Sequence, residues 1–285
     1  MRWEDGRESD NVEDRRGFPI SGRGASLGCG GIIVLLLVSW LTGINPMRLL
    51  DMVQGSSSQA PAAPSAAPAP SGPAPAGDKL GKFASVVLAS TEDVWKDIFA
   101  KTGRSYQQPK LVLFTGAARS GCGLASAAVG PFYCQLDRKV YLDLSFFREL
   151  SERFGARGDF ADAYVIAHEI GHHVQNELGI FEKAGRSGTS EQAVSVPLEL
   201  QADCFAGVWG HHANRERQLI EPGDFEQGLR AAAAIGDDRL QRMTTGHVAP
   251  ESFTHGTSAQ RSGWLRPGLE TGDPGRCDTF REQPN

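Results

Sequence analysis

The sequence predicts an α+β fold, in which a small antiparallel or mixed sheet comes first along the chain and a helical part follows. Residues 110–115, 132–135 and 139–144 are short segments rich in β-branched and aromatic side chains, as strands are. From residue 146 onward, apolar residues recur at helical spacings instead. Because strands precede helices rather than alternating with them, a parallel α/β sheet is disfavoured.

Six helices are predicted around these strands. The first covers residues 83–100 and is expected to break near Ser90, whereas the second follows Ser145 as a candidate cap. The third ends before Gly179, a residue type that commonly stops helices. The five helices after the strands are predicted at residues 146–154, 160–178, 190–214, 225–243 and 256–268.

The first 78 residues are predicted to lie outside this domain, which then covers residues 79–285. Residues 25–45 carry no charge and are long enough for one transmembrane helix. Arginines precede this run, so residues 1–24 are expected in the cytoplasm and the domain outside the cell membrane. Residues 46–78 are rich in Pro, Ala and Ser and predict a disordered linker. A cleaved signal peptide is the alternative, but no small-x-small site follows the run closely.

The most informative motif is HEIGHH at residues 168–173, which contains His168-Glu169-x-x-His172. On a helix, residues four apart lie on one face, so both imidazoles can reach a single metal ion. Glu169 would then stand beside the metal, where a carboxylate can take a proton from a bound water. Gly171 inside this helix is explained if another backbone packs closely against it.

A catalytic zinc usually has three protein ligands, so a third must come from elsewhere in the chain. The longer pattern HExxHxxGxxH fails, because Gln175 and Leu178 occupy the required Gly and His positions. Glu199 and Asp203 are four apart on the helix that follows. We therefore predict that Glu199 is the third zinc ligand and that Asp203 orients His168 through its outer nitrogen.

The remaining histidines are weaker candidates. His255 is the preferred catalytic partner, as a group that stabilises the oxyanion formed during peptide hydrolysis, and His247 is the alternative. His173 points away from the two ligands and is expected to be structural. His211 and His212 lie too far beyond Glu199 to be ligands. Two tyrosines near the motif are expected to pack rather than react, namely Tyr141 and Tyr164.

Four of the five cysteines are predicted to pair. Cys122 and Cys134 bracket a short loop, and a bridge between Cys204 and Cys277 would pin the C-terminal tail to the Glu199 helix. The alternative for the second pair is a buried free thiol and an exposed one. Cys29, in the apolar run, is expected to have no special chemistry. The net charge of −5, without a basic patch, gives no support to nucleic-acid binding, and the oligomeric state cannot be read from the sequence.

The chain resembles a known family in a series of motifs spread over residues 79–285. The HExxH and ExxxD pair is typical of gluzincin-type zinc peptidases, and the wider context is similar to the neutral zinc metallopeptidases of the YpfJ type. The matching segments are SGCG from Ser120, PFYC from Pro131, VYLDL from Val140, HEIGHHVQ from His168, ELQADCFAG from Glu199 and PESFTHG from Pro250. The resemblance implies a zincin-like fold and a metallopeptidase activity. It also implies that residues 140–144 form an edge strand, to which an extended peptide substrate adds.

We therefore expect a membrane-anchored zinc peptidase, in which His168, His172 and Glu199 bind Zn²⁺ and Glu169 is the general base. Its partner would be a peptide or protein substrate. The competing hypothesis is a zinc-stabilised binding or scaffold module without catalysis. Glu169 favours the enzyme, because a binding module has no need of that carboxylate.

Overall fold

The computed structural model describes residues 1–17, 77–185 and 191–281. The predicted membrane helix at residues 25–45 lies outside these ranges, as does the predicted linker up to residue 76. Within the described parts of the chain, no helix combines the length and the apolar character needed to cross a bilayer. The membrane anchor therefore stays a prediction.

Four strands form a mixed sheet in the order β1-β2-β6-β5, and two more form a separate hairpin, β3-β4. Strands β1, β2 and β6 are parallel, and β5 pairs antiparallel with β6. The α+β class is confirmed. The strand bounds are β1 Val12–Asp14, β2 Lys110–Phe114, β3 Ala117–Ser120, β4 Gly123–Ser126, β5 Phe132–Cys134 and β6 Lys139–Asp143.

The expectation that residues 140–144 form the edge strand is wrong. Strand β6 lies inside the sheet, because Val140 pairs with Leu111 on one side and with Tyr133 on the other. The outer position beside β6 belongs to β5. An extended peptide that adds to this side of the sheet would therefore pair with β5 and not with β6.

Eight helices follow or flank the sheet in the described residues. Their bounds are α1 Lys79–Lys101, α2 Ser145–Glu152, α3 Asp159–Glu177, α4 Ile180–Gly185, α5 Glu191–Arg217, α6 Asp224–Ala234, α7 Asp237–Thr244 and α8 Ser258–Thr271. The HEIGHH motif lies on α3, and Glu199 lies on α5. Helix α3 ends as predicted, with Gly179 in the left-handed region just after it (φ 69°).

Three helix predictions need correction. Helix α1 continues without a break through Ser90. The Ser90 hydroxyl accepts a hydrogen bond from Trp209 Nε1. Residues 225–243 lie in two helices, α6 and α7, which are separated at Gly236. The backbone there lies so close to the next helix that a Cβ added to Gly236 would be 2.3 Å from the Ser258 nitrogen. Ser145 is not a cap; its N–H instead donates to Asp143 Oδ1 at 2.9 Å.

Residues 1–17 belong to the same compact unit as the described residues from 77 onward, although the sequence predicted a separate segment at residues 1–24. Strand β1 adds to the sheet with Val12 opposite Leu111. Trp3 is 5% exposed and packs edge-on against Phe83 of α1, with ring centroids 5.2 Å apart. The first strand of the fold was missed because the apolar run at 25–45 suggested a boundary there.

Both predicted disulfides are present. The Cys122–Cys134 bridge ties the β3-β4 hairpin to the end of β5, and the Cys204–Cys277 bridge ties helix α5 to the C-terminal segment. The first bridge therefore restrains an outer strand of the sheet, and the second restrains the helix that carries Glu199. Helix α5 packs against both α3 and α8, and buried aromatic side chains lie between α3 and α5, where Phe160 stacks on Trp209.

Candidate metal centre

Three donor side chains meet where helices α3 and α5 pack together. His168 and His172 are one turn apart on α3, and Glu199 faces them from α5. One ligand atom from each of the three lies within 4.8 Å of the others. The Nε2 atoms of His168 and His172 are 3.1 and 3.3 Å from the two Glu199 carboxylate oxygens.

These distances fit a tetrahedral zinc site. Ligand atoms bonded to zinc at 2.0–2.2 Å with tetrahedral angles are separated by about 3.4 Å. Both outer ring nitrogens are also held, since His168 Nδ1 is 2.8 Å from Asp203 and His172 Nδ1 is 2.9 Å from Gln175 Oε1. Each imidazole is thereby fixed with its Nε2 toward Glu199, as a metal-ligating histidine requires.

Gly171 allows the two ligand-bearing helices to come this close. A Cβ on Gly171 would lie 2.8 Å from the Ala202 carbonyl oxygen and 2.9 Å from its Cα. Such contacts are too short for any side chain, so the α5 backbone packs directly on α3. The close backbone approach that the sequence predicted at Gly171 is confirmed.

Asp203 is the centre of a buried polar network behind His168. Its carboxylate accepts hydrogen bonds from Arg261 Nε at 2.9 Å and from Tyr164 Oη at 2.5 Å, besides its contact with His168. The Arg261 side chain comes from α8 and its Nη2 is 3.1 Å from Tyr164 Oη. Asp203 is fully buried and Arg261 is 2% exposed, so each charge depends on the other for compensation.

The carboxylates of the site are held ionised. Burial alone would raise the pKa of Asp203, but the charges of Arg261 and His168 outweigh it and hold that pKa below its usual range. Burial likewise opposes ionisation of Glu199, and His172 and His168 lower its pKa well below the ordinary value. For His168, burial disfavours protonation, but Asp203 and Glu199 raise its pKa overall. A metal binding here must displace that proton.

Glu169 differs from the other two acids. It is 7% exposed, and burial raises its pKa despite the nearby histidines. Its side chain lines a cleft of about 520 Å³ together with both histidines and Glu199. Phe132 of β5 and Phe146 of α2 line the same cleft, so its wall is partly apolar. A carboxylate of raised pKa beside a metal site is suited to accept a proton.

His255 lies at the same cleft, where the sequence predicted a catalytic histidine. Its side chain is half exposed, and its Nδ1 is 3.2 Å from Asp237 Oδ1. The hydrogen bond to Asp237 raises the pKa of His255 and so favours its protonated form. Asp237 is held in turn by backbone N–H groups, including those of Thr254 and His255 at 2.8 and 2.7 Å.

The other candidates lie away from the metal ligands. His173 is fully buried and bonds Tyr133 Oη and the Gln107 carbonyl, and burial lowers its pKa to about 4. It is structural, as expected. His211 and His212 contact backbone carbonyls of the α8 region instead. His247 is exposed and is not among the residues that line the cleft. Tyr141 stacks on Phe132, whereas Tyr164 does more than pack, because it bonds Asp203.

Three residues of the site were missed from the sequence, Arg261, Asp237 and Gln175. A signal for Arg261 existed. On α8 it shares a face with Trp264, Leu265 and Leu269, all buried, and an arginine on an apolar face must find an internal partner. Asp237 gave no comparable signal, because its contact with His255 depends on how the loop before α8 folds back.

The structure thus brings His168, Glu169, His172, Glu199 and His255 to one cleft, with Asp203 buried behind His168.

Comparisons with known proteins show which family the chain belongs to. A family model described as "Putative neutral zinc metallopeptidase" matches residues 1–280. The Escherichia coli K12 protein YpfJ, which is itself uncharacterized, is 48% identical over 291 residues, covering 98% of this chain and 99% of that one. An uncharacterized Mycobacterium bovis protein is 46% identical over 201 residues, covering 67% of each chain. No solved structure matches the chain.

The family match begins at residue 1 and therefore includes the segment that forms β1 as well as the helices that carry the metal-site residues. The chain belongs to the family described as "Putative neutral zinc metallopeptidase".

Proposed function

We propose that the protein is a zinc-dependent peptidase, with His168, His172 and Glu199 as zinc ligands and Glu169 as general base. The observation that carries the proposal is that His168, His172 and Glu199 each offer a ligand atom within 4.8 Å of the others, in a cleft that the buried Glu169 also lines. Zinc, when bound, polarises a carbonyl group and lowers the pKa of water.

Glu169 would handle the proton. Its carboxylate lines the cleft next to His168, so it can take a proton from the attacking water and later deliver it to the leaving amine. Asp203 would act through His168 by fixing the ring, with Arg261 holding the Asp203 carboxylate in place. The binding-module alternative needs neither step.

Two further features support a peptide substrate and a zincin-like arrangement. Strand β5 is an outer strand of the sheet, and residues 128–133 line the cleft, so an extended peptide can add to β5 beside the metal helix. His255, whose hydrogen bond with Asp237 raises its pKa and favours the protonated form, can donate a hydrogen bond to the oxyanion formed from the scissile carbonyl.

The test compares wild type with Glu169→Gln in metal content and in cleavage of a diverse peptide library, followed by mass spectrometry. We expect one zinc per chain in both proteins and a cleavage rate lower by about 10²–10⁴ in the variant. The matched control is Glu149→Gln, which changes a partly exposed glutamate that borders the same cleft and pairs with Arg153. It should cleave like wild type.

If wild type and Glu169→Gln cleave the same peptides at equal rates, the assigned mechanism is wrong. If the zinc-loaded wild type cleaves none of the library, the binding module becomes the better description of the protein.

A further inference from the structure

The segment before the apolar run is built into the metal domain along its whole described length. Strand β1 pairs residue for residue with β2, from Val12 opposite Leu111 to Asp14 opposite Leu113. Val12 is 1% exposed. Trp3 Nε1 donates to Asp159 Oδ2 at 2.8 Å, and Asp159 is the first residue of the helix that bears the HEIGHH motif. These contacts are part of the core and are not surface attachments.

Buried and half-buried polar groups strengthen this connection. Glu13 accepts hydrogen bonds from Lys139 of β6 at 2.8 and 3.0 Å and lies 3.3 Å from Lys110 of β2. Glu92 of α1 is 1% exposed and accepts from Ser9 at 2.6 Å and Asn11 at 2.8 Å. If the segment were removed, Glu92 would be left as a buried acid without these two donors, which is costly.

The chain leaves and re-enters the domain at one place. Arg16 bonds Asp14 at the end of β1 and also donates to Asp78, the residue that caps α1. The two sides of the stretch from residue 18 to residue 76 are therefore joined by an ion pair. Two of the arginines that suggested a cytoplasmic N-terminal flank therefore have local partners, since Arg16 pairs with Asp14 and Asp78 and Arg15 pairs with Glu13.

A single crossing of a bilayer between residues 17 and 77 is incompatible with this arrangement. One crossing would put about 30 Å of hydrocarbon between residues 1–17 and the part of the chain that begins at residue 77. The backbone hydrogen bonds that join β1 to β2 cannot reach across that distance. We infer that residues 1–17 and residues 77–281 lie on the same side of the cell membrane in the folded protein, and that the Arg16–Asp78 contact marks where the chain leaves and returns. This inference contradicts the predicted single-pass topology, in which the N-terminus is cytoplasmic and the domain lies outside. It does not depend on peptidase activity.

Cysteine accessibility in the full-length chain tests the inference. In a Cys29→Ser background, Asp10→Cys and Lys101→Cys each place one new thiol at an exposed position, the first beside β1 and the second at the end of α1. Intact cells are treated with a membrane-impermeant maleimide before or after permeabilisation. Lys96→Cys, exposed on the same helix as Lys101, is the matched control for the domain.

We expect all three thiols to react under the same condition, either all in intact cells or all only after permeabilisation. Labelling of Asp10→Cys on one side and of Lys101→Cys and Lys96→Cys on the other overturns the inference. A single charge reversal checks the contact itself. Arg16→Glu should lower the melting temperature, because it places an acid between Asp14 and Asp78; no loss with Arg16→Glu also contradicts the inference.

Discussion

The Asp203 carboxylate contacts three side chains at once, His168, Tyr164 and Arg261, and all of these contacts are buried. The ligand set alone does not explain the orientation of His168, because an imidazole can turn about its side-chain bonds. Asp203 fixes which nitrogen faces Glu199. It should therefore affect metal affinity although it does not contact the metal.

Replacing Asp203 by asparagine should weaken zinc binding by about 10- to 100-fold, since a neutral amide orients His168 poorly and lowers its basicity. Competition with a fluorescent zinc chelator at neutral pH measures the change in the folded protein. The matched control is Asp162→Asn, on the same helix α3 as His168. Burial raises the pKa of Asp162 to about 7, so the neutral substitution should have little effect on zinc. Equal zinc affinity of Asp203→Asn and wild type would contradict the role given to Asp203.

Strand β1 is the element whose contribution was least evident from the sequence, and two features of its segment can be tested separately. One is the apolar contact of Trp3, which anchors the segment to α1. The other is the ion cluster around Glu13, which joins β1 to β2 and β6.

Trp3→Ala should lower the melting temperature by about 10 °C, because truncating a buried aromatic residue costs about 3–5 kcal/mol and a domain of this size loses about 2–4 °C per kcal/mol. Differential scanning calorimetry of the full chain measures it. Glu4→Ala is the control, since Glu4 is exposed and its pair with Lys79 is 3.6 Å long and exposed on both sides. A melting temperature unchanged by Trp3→Ala would show that the segment is not part of the core.

Glu13 gives the sheet a defined acid sensitivity. Burial by itself would raise the pKa of Glu13, but hydrogen bonds from Lys139 and Arg15 outweigh it and lower that pKa to about 2. The unfolded chain has the ordinary value near 4.5. Ionised Glu13 therefore stabilises the fold above about pH 4.5, and this contribution is lost as the pH falls toward 2.

The measurement is urea unfolding of wild type and Glu13→Gln at several pH values. Wild type should be the more stable at about pH 6–7, and the difference between the two should shrink steadily between about pH 4.5 and 2.5. Acid effects shared by both proteins, including loss of metal, cancel in the difference. A stability difference between the two proteins that stays constant over this range would mean that the contacts with Lys139 and Arg15 do not lower the pKa of Glu13.

On the scale of the whole molecule, the features predicted from the sequence are those that depend on local spacing. Two histidines four apart and an acid pair four apart each define one helix face, so the spacing alone placed His168, His172, Glu199 and Asp203. The strand segments and the α+β class followed from composition and order. The disulfide pairs followed from position.

Contacts between distant segments could not be predicted in the same way. Arg261 reaches Asp203 across 58 residues, and its partner is decided by how α8 packs on α5. The charged N-terminal segment looked like a solvated flank, because six of its first 17 residues are Asp or Glu and four are Arg. In the structure several of these charges, such as Glu13 and Arg16, pair with the domain. The edge was predicted at β6 from the family resemblance, and edge and interior strands look too alike in sequence for the residues to correct that prediction.

In the proposed function, one zinc ion binds to side chains from two helices. The decisive measurement is a crystal structure of the zinc-loaded, folded protein, with anomalous scattering recorded on both sides of the zinc absorption edge. We expect one anomalous peak per chain, bonded to Nε2 of His168, Nε2 of His172 and a carboxylate oxygen of Glu199. A structure with no peak among these atoms, or with Glu199 turned away from both imidazoles, would contradict the claim.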